Sequence, residues 1–105
     1  MIFPAMQRRV ADFTASAGID TEIPFRVLDL ASETGELAKE VLKATAYGRA
    51  PFAPTAGWSG ELADTLFALL CLANSTGVDL EVALDDALAK YAARLAARGE
   101  AGSGR

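Results

Sequence analysis

Glu33 and Glu36 stand three positions apart, and so do Glu61 and Asp64. On a helix, residues at i and i+3 project from one side, so each pair presents two carboxylates to a common point. Two helices built this way can converge on a divalent cation. A hard ion such as Mg²⁺ takes oxygen ligands in octahedral geometry and commonly completes its shell with substrate phosphates and water. Such ions offset the mutual repulsion of the acids, bind a triphosphate and lower the pKa of a bound water enough to make it a nucleophile. Glu-x-x-Glu also occurs by chance in solvated helices. What singles out this arrangement is its repetition on two adjacent helical segments, the second of them nearly all apolar.

The elements that must position these acids follow from periodicity. Leu28 to Lys43 reads as a long amphipathic helix with Leu30, Leu37 and Val41 toward a core. Its polar stripe, Arg26, Asp29, Glu33, Glu36, Glu40, Lys43 and Tyr47, is acidic in the middle and cationic toward both ends. A preceding helix is expected over Pro4 to Ala17, ended by Gly18, with Asp20 or Thr21 available to cap the next and Pro24 in its first turn. That second helix is expected to run to Tyr47. Gly35, between the two glutamates, weakens the helix by about 1 kcal/mol relative to alanine, which suggests close approach of a neighbour or ligand. Gly48 to Gly60 is the one substantial loop. Ser59 or Gly60 is then expected to cap a third helix reaching Thr76, apolar nearly all round and so buried on several sides. Gly77 closes it, and Asp79 caps a fourth whose core side is Leu80, Leu84, Leu88, Tyr91 and Leu95. No strand pattern or internal repeat is present. The fold expected is all-α, an antiparallel bundle of four main helices in one domain over residues 1–98, with a disordered glycine-rich tail over 99–105. An apolar third helix in so small a chain wants further cover, which predicts a homo-oligomer.

Composition removes several classes of function. The 105 residues carry a net charge of −4 and no basic block, which argues against a nucleic-acid polymer as partner. With no histidine in the chain, imidazole base catalysis, the Glu-x-x-His motifs of di-iron bundles and most zinc sites are excluded. The single cysteine, Cys71, lies in an apolar helix, fits a small core position and cannot form an intrachain disulfide. No signal pattern opens the chain and no apolar run reaches the length of a membrane span, so a cytoplasmic location without membrane association is expected.

Other residues admit two readings from sequence. Glu40 continues the acidic face, either as an outer metal ligand or water base, or as a solvated partner of Lys39 or Lys43. Lys43 either neutralises a phosphate or stays with its neighbours. Asn74, ten residues after Asp64 on the same face, either bonds a nucleotide or satisfies a helix end. Trp58 and Phe52 either stack a base or pack against the helix that follows. Gln7 and Arg8 on the first helix could reach a base, though nothing in their spacing demands it.

The run SETGELAKEVLK, followed after a loop by GELADTLFALLCLANSTGVDLEVAL, resembles the MazG-type all-α nucleoside triphosphate pyrophosphohydrolases, a superfamily that also includes the dimeric dUTPases and phosphoribosyl-ATP pyrophosphohydrolase. The resemblance spans about Phe25 to Leu95. It implies that Glu33, Glu36, Glu61 and Asp64 ligate Mg²⁺, with Mn²⁺ as a substitute; Glu33 and Glu36, with Glu40 from the continuing acidic face, are the candidate catalytic residues. It implies water attack at the α-phosphorus of a nucleoside triphosphate, releasing the monophosphate and pyrophosphate, in a dimer or a dimer of dimers. Many members carry a further glutamate where this chain has Ser32. Members often hold phosphate or sugar with Lys and Asn on the last helix; here Lys90, Tyr91 and Arg94 offer a looser counterpart, joined by Lys43, Asn74 and Trp58 as candidate substrate contacts. Phosphoribosyl-ATP pyrophosphohydrolase and a non-catalytic helical module are the alternatives. Gly-Val-Asp-Leu-x-x-Ala-Leu favours a MazG-like chain over the former, and retention of all four acids argues against the latter.

Overall fold

The computed structural model describes residues 2–98, so the expectation for the tail over 99–105 lies outside the described residues. Within them the chain is helical, in the order α1 (Ile2–Ala17), α2 (Ile23–Ala44), α3 (Trp58–Ser75) and α4 (Leu80–Arg98), with no strand among the described residues. α2 is the longest at 22 residues.

Helix ends explain where the expected boundaries shift. α1 begins at Ile2 and takes Pro4 into its first turn, where a missing N–H leaves no intrahelical bond unmade. It ends on Gly18 at φ +68°, with Ile19 N donating to Thr14 O at 3.1 Å, a Schellman closure. α3 ends the same way on Gly77 at φ +69°, with Val78 N donating to Ala73 O at 3.0 Å. α2 also closes by this motif, but three residues before the expected Tyr47. Its left-handed position is taken by Ala46 at φ 48°, followed by Tyr47 at φ 58°, and Tyr47 N donates to Leu42 O at 2.7 Å. Thr45 assists, its hydroxyl donating to Val41 O at 2.8 Å and accepting from Gly48 N at 3.2 Å. At the other end of α2 neither Asp20 nor Thr21 is the cap; Glu22 holds that position in extended conformation without a side-chain bond. α3 starts at Trp58 with Gly57 as its cap residue, which places Ser59 and Gly60 inside the helix. Asp79 does cap α4, its Oδ1 accepting from Glu81 N at 2.9 Å and Val82 N at 3.3 Å.

α3 is the centre of the packing. α2 and α1 lie against it, α4 packs on α1, and the buried apolar residues Ala68, Leu70, Cys71 and Ala73 all belong to α3. Three of these four are small, which lets neighbouring helices approach closely. Burial pushes the Cys71 thiol up from its ordinary pKa, consistent with a core position. The chain turns by 105° between α3 and α4, so α4 does not fold back beside α3. Its expected core side stays open: Leu84, Leu88, Tyr91 and Leu95 are exposed, and Leu88 is 55% accessible. Leu62 and Leu69 of α3 and Val41 of α2 are likewise exposed, so the full enclosure expected of α3 is not reached within one chain. Among the described residues no single helix is long and apolar enough to cross a membrane.

A clamp of amide hydrogen bonds fixes α1 to the far end of α3. The Gln7 side chain is buried; its Nε2 donates to Asn74 Oδ1 at 3.1 Å and Val78 O at 2.8 Å, and its Oε1 accepts from Leu80 N at 2.9 Å. Asn74 Nδ2 returns a bond to Gln7 O at 2.9 Å.

Candidate active site

The acids meet across the seam between α2 and α3. Glu33, near the middle of α2, and Glu61 and Asp64, in the first two turns of α3, each bring a carboxylate oxygen within 4.8 Å of the others. Glu33 and Glu61 are half-buried and Asp64 is exposed. Glu61 is the most constrained: its Oε2 is shielded from solvent and has no hydrogen-bond partner. Loss of hydration raises its pKa above the ordinary carboxylate value, and the charges of Asp64, Glu36, Glu33 and Glu40 add to the rise. Such a set fits a hard divalent cation, which supplies the positive charge these oxygens lack.

Glu36 lies outside the close set and is exposed, although its charge reaches Glu61. Gly35 beside it has no atom within 4 Å of the position a Cβ would take, so close approach of another helix of the same chain is not what requires glycine there. Glu40 is committed elsewhere. It accepts from Thr55 Oγ1 at 2.8 Å and pairs with Lys43 Nζ at 3.4 Å, and these bonds, Thr55 first, hold its pKa below the ordinary value of 4.5. With Phe52 set edge-to-face on Trp58 at 5.3 Å, they tie the connecting loop to α2 and to the start of α3.

A cleft of about 310 Å³ adjoins the acids, lined by Arg26, Asp29, Glu33, Asp64, Phe67 and Ala68. A larger concavity of about 430 Å³ between α1 and α3, including Met6, Val10, Phe13 and Leu66, is apolar and holds none of the acids. Of the expected substrate contacts, none lines the acidic cleft. Lys43 is engaged with Glu40, Trp58 with Phe52, and Asn74 with Gln7 at the opposite end of α3. Gln7 is consumed by the same clamp, so it cannot also reach a base without breaking it. Lys90 lies 5.2 Å over the Tyr91 ring, and Arg94 is half-buried with Nη1 unpartnered, both on the helix that packs against α1. Arg26 and Asp29, by contrast, belong to the cleft. Their signal in the sequence is their place on the polar stripe of α2, seven and four residues before Glu33, on the side that bears the acids.

Among the described residues the chain is all-helical, with carboxylates opposed across two helices in an acidic seam of the kind that could hold a cation. The family model of the MazG nucleotide pyrophosphohydrolase domain matches residues 26–98, a span that includes all four acids and the whole of α3 and α4. The chain belongs to this family. No curated protein and no solved structure matches it.

Proposed function

We propose that this chain is a Mg²⁺-dependent nucleoside triphosphate pyrophosphohydrolase, releasing a nucleoside monophosphate and pyrophosphate. The observation that carries the proposal is the convergence of Glu33, Glu61 and Asp64 oxygens within 4.8 Å, with Glu61 Oε2 dry and unpartnered. Acids held this close without counter-charge repel one another, and a fold keeps them so when something cationic occupies the site.

Glu33, Glu61 and Asp64 would hold the ion. When bound, Mg²⁺ neutralises phosphate charge and makes a bound water more acidic. Glu36, solvent-facing and one turn along α2, either completes the acid set or takes the proton of the attacking water. In the net reaction an oxygen–phosphorus bond forms at the α-phosphorus and the α–β bridging bond breaks, with pyrophosphate as leaving group. Glu40 is a positioning residue, holding the loop through Thr55. The open apolar faces of α3 and α4 support assembly as a homodimer or homotetramer, and a second copy would bring further α4 side chains into play.

Purified protein incubated with Mg²⁺ and a panel of nucleoside triphosphates should give monophosphate and pyrophosphate. Direct release of orthophosphate, or no turnover of any member of the panel, refutes the proposal. Sedimentation as a monomer at micromolar concentration refutes the assembly.

A further inference from the structure

α2 has two sides of opposite character. Its buried and half-buried residues, Arg26, Leu30, Glu33, Leu37, Glu40 and Ala44, recur in steps of four and three and mark the side laid on α3. The other side is bare. Ile23, Val27, Leu28, Val41 and Leu42 are exposed there, Leu28 at 62%. Ala31, Thr34, Gly35 and Ala38 lie between them and are exposed as well. At about 100° per residue these positions fill an arc of about 140° along the helix. No charge falls within it: Arg26, Asp29, Glu33, Glu36, Glu40 and Lys43 lie outside the arc, and Lys39 stands at its edge. Its hydroxyl protons are used within the helix too. Thr34 Oγ1 donates back to Leu30 O at 2.9 Å, and Thr45 Oγ1, at the C-terminal end, to Val41 O at 2.8 Å. A solvated helix face ordinarily carries charge, and an apolar, neutral face of this length marks a contact with another apolar surface.

The order of residues along the arc says what that surface is. A two-fold contact requires that where residue i meets j, j also meets i. Two antiparallel α2 helices meet this condition when the axis passes beside Thr34 and Gly35. Leu28 of one helix then lies level with Leu42 of the other, Val27 with Val41, and Ala31 with Ala38. Branched residues meet toward both ends and small ones at the centre. Gly35 gains the reason it lacks inside its own chain: no atom lies within 4 Å of the position its Cβ would take, so the close approach comes from outside. Charge selects the same arrangement. Each copy carries a net charge of −4, and this contact keeps the carboxylates of both copies on the far sides of their helices. Antiparallel helices also set the two Lys39 positions about 13 Å apart along the seam, where a parallel pair would bring them side by side.

We propose that the neutral face of α2 is a two-fold seam between two copies of this chain. It specifies one contact of the assembly proposed above, rests on that assembly, and is separate from the open faces of α3 and α4. The two acidic sites then point away from each other. α2, which fully buries only Arg26 in its own chain, is held from both sides while it presents Glu33 and Glu36.

The test combines sedimentation equilibrium of the wild type and Ala38→Arg with oxidative cross-linking of Thr34→Cys. Ala38→Arg adds an exposed charge to the single chain but buries two unpaired charges in each seam, so it should weaken self-association at least about a hundredfold with the helical circular dichroism unchanged. Thr34→Cys places a thiol beside its own copy across the axis and should form a disulfide-linked dimer under mild oxidation, whereas the wild type, whose free cysteine Cys71 is buried, should not. An assembly that survives Ala38→Arg, or a Thr34→Cys protein that stays uncrosslinked, overturns the seam and leaves assembly to α3 and α4. A wild type that sediments as a monomer at micromolar concentration overturns the seam and the assembly together. Should Ala38→Arg fail to fold, the cross-link decides.

Discussion

The two ends of α3 handle buried polar groups in opposite ways. At its C-terminal end Asn74 is locked to Gln7, and Gln7 in turn satisfies Val78 O and Leu80 N, so each polar group of the clamp has a partner. At its N-terminal end Glu61 and Asp64 crowd Glu33, and Glu61 Oε2 has none. The first end is a hydrogen-bonding problem the chain solves by itself, and it serves the fold. The second is an electrostatic problem left open. Unsolved frustration of that kind is expected where a ligand completes the structure. About 15 Å of helix separates the two, enough for them to be perturbed independently.

The largest effect should come from the acidic end, and on turnover alone. Asp64→Asn or Glu36→Gln should lower kcat by at least about a hundredfold, a barrier increase of about 2.7 kcal/mol. Their urea midpoints without metal should equal or exceed that of the wild type, because removing a charge relieves repulsion. At the other end the pattern should invert. Gln7→Ala strands Val78 O, Leu80 N and Asn74 Oδ1, and should cost about 2–4 kcal/mol in urea unfolding. Its specific activity below the melting transition should change little. A Gln7 variant that is stable but inactive would break the comparison.

How much of this was legible in the sequence depends on which physical signal a residue carries. The convergence of Glu33, Glu61 and Asp64 was readable because i, i+3 spacing places residues on one side of a helix, although Glu36 falls outside the close set, and the ends of α1 and α3 were readable because glycine marks a left-handed closure. The end of α2 was not, since Ala46 holds that conformation without being glycine and the nearest glycine, Gly48, lies two residues on. α4 misled in another way. Its Leu84, Leu88 and Leu95 form an apolar stripe, and a stripe predicts that a face is covered without saying whether the cover comes from the same chain. Asn74 shares the face of Asp64, but periodicity could not show that Gln7, 67 residues away in sequence, would take its side chain. The same holds for Glu40, whose partner Thr55 sits across a loop.

Two smaller effects sharpen the contrast. Ala46→Gly should stabilise the protein by about 0.5–1 kcal/mol in thermal or urea unfolding, because glycine adopts the left-handed position without the Cβ penalty. It should leave activity intact, as a change at neither end of α3. Glu40 is the satisfied counterpart of Glu61. Its folded pKa is lowered by Thr55 and Lys43, so its contribution to stability is present above the unfolded value near 4.5 and is lost as pH falls through the lowered folded pKa. The melting temperatures of the wild type and Glu40→Gln should therefore differ at neutral pH and converge in acid. A gap that widens below pH 4.5 would contradict the Thr55 and Lys43 pairing.

The central claim, that the acids at the head of α3 are completed by a cation, is tested most directly by melting the wild type, Asp64→Asn and Glu61→Gln across a Mg²⁺ titration. Binding to the native state alone should raise the wild-type transition progressively, by about 2.7 kcal/mol of stability at a hundredfold excess over the dissociation constant, and the two variants should shift weakly or not at all. Equal shifts in all three proteins, or none in the wild type, would contradict it.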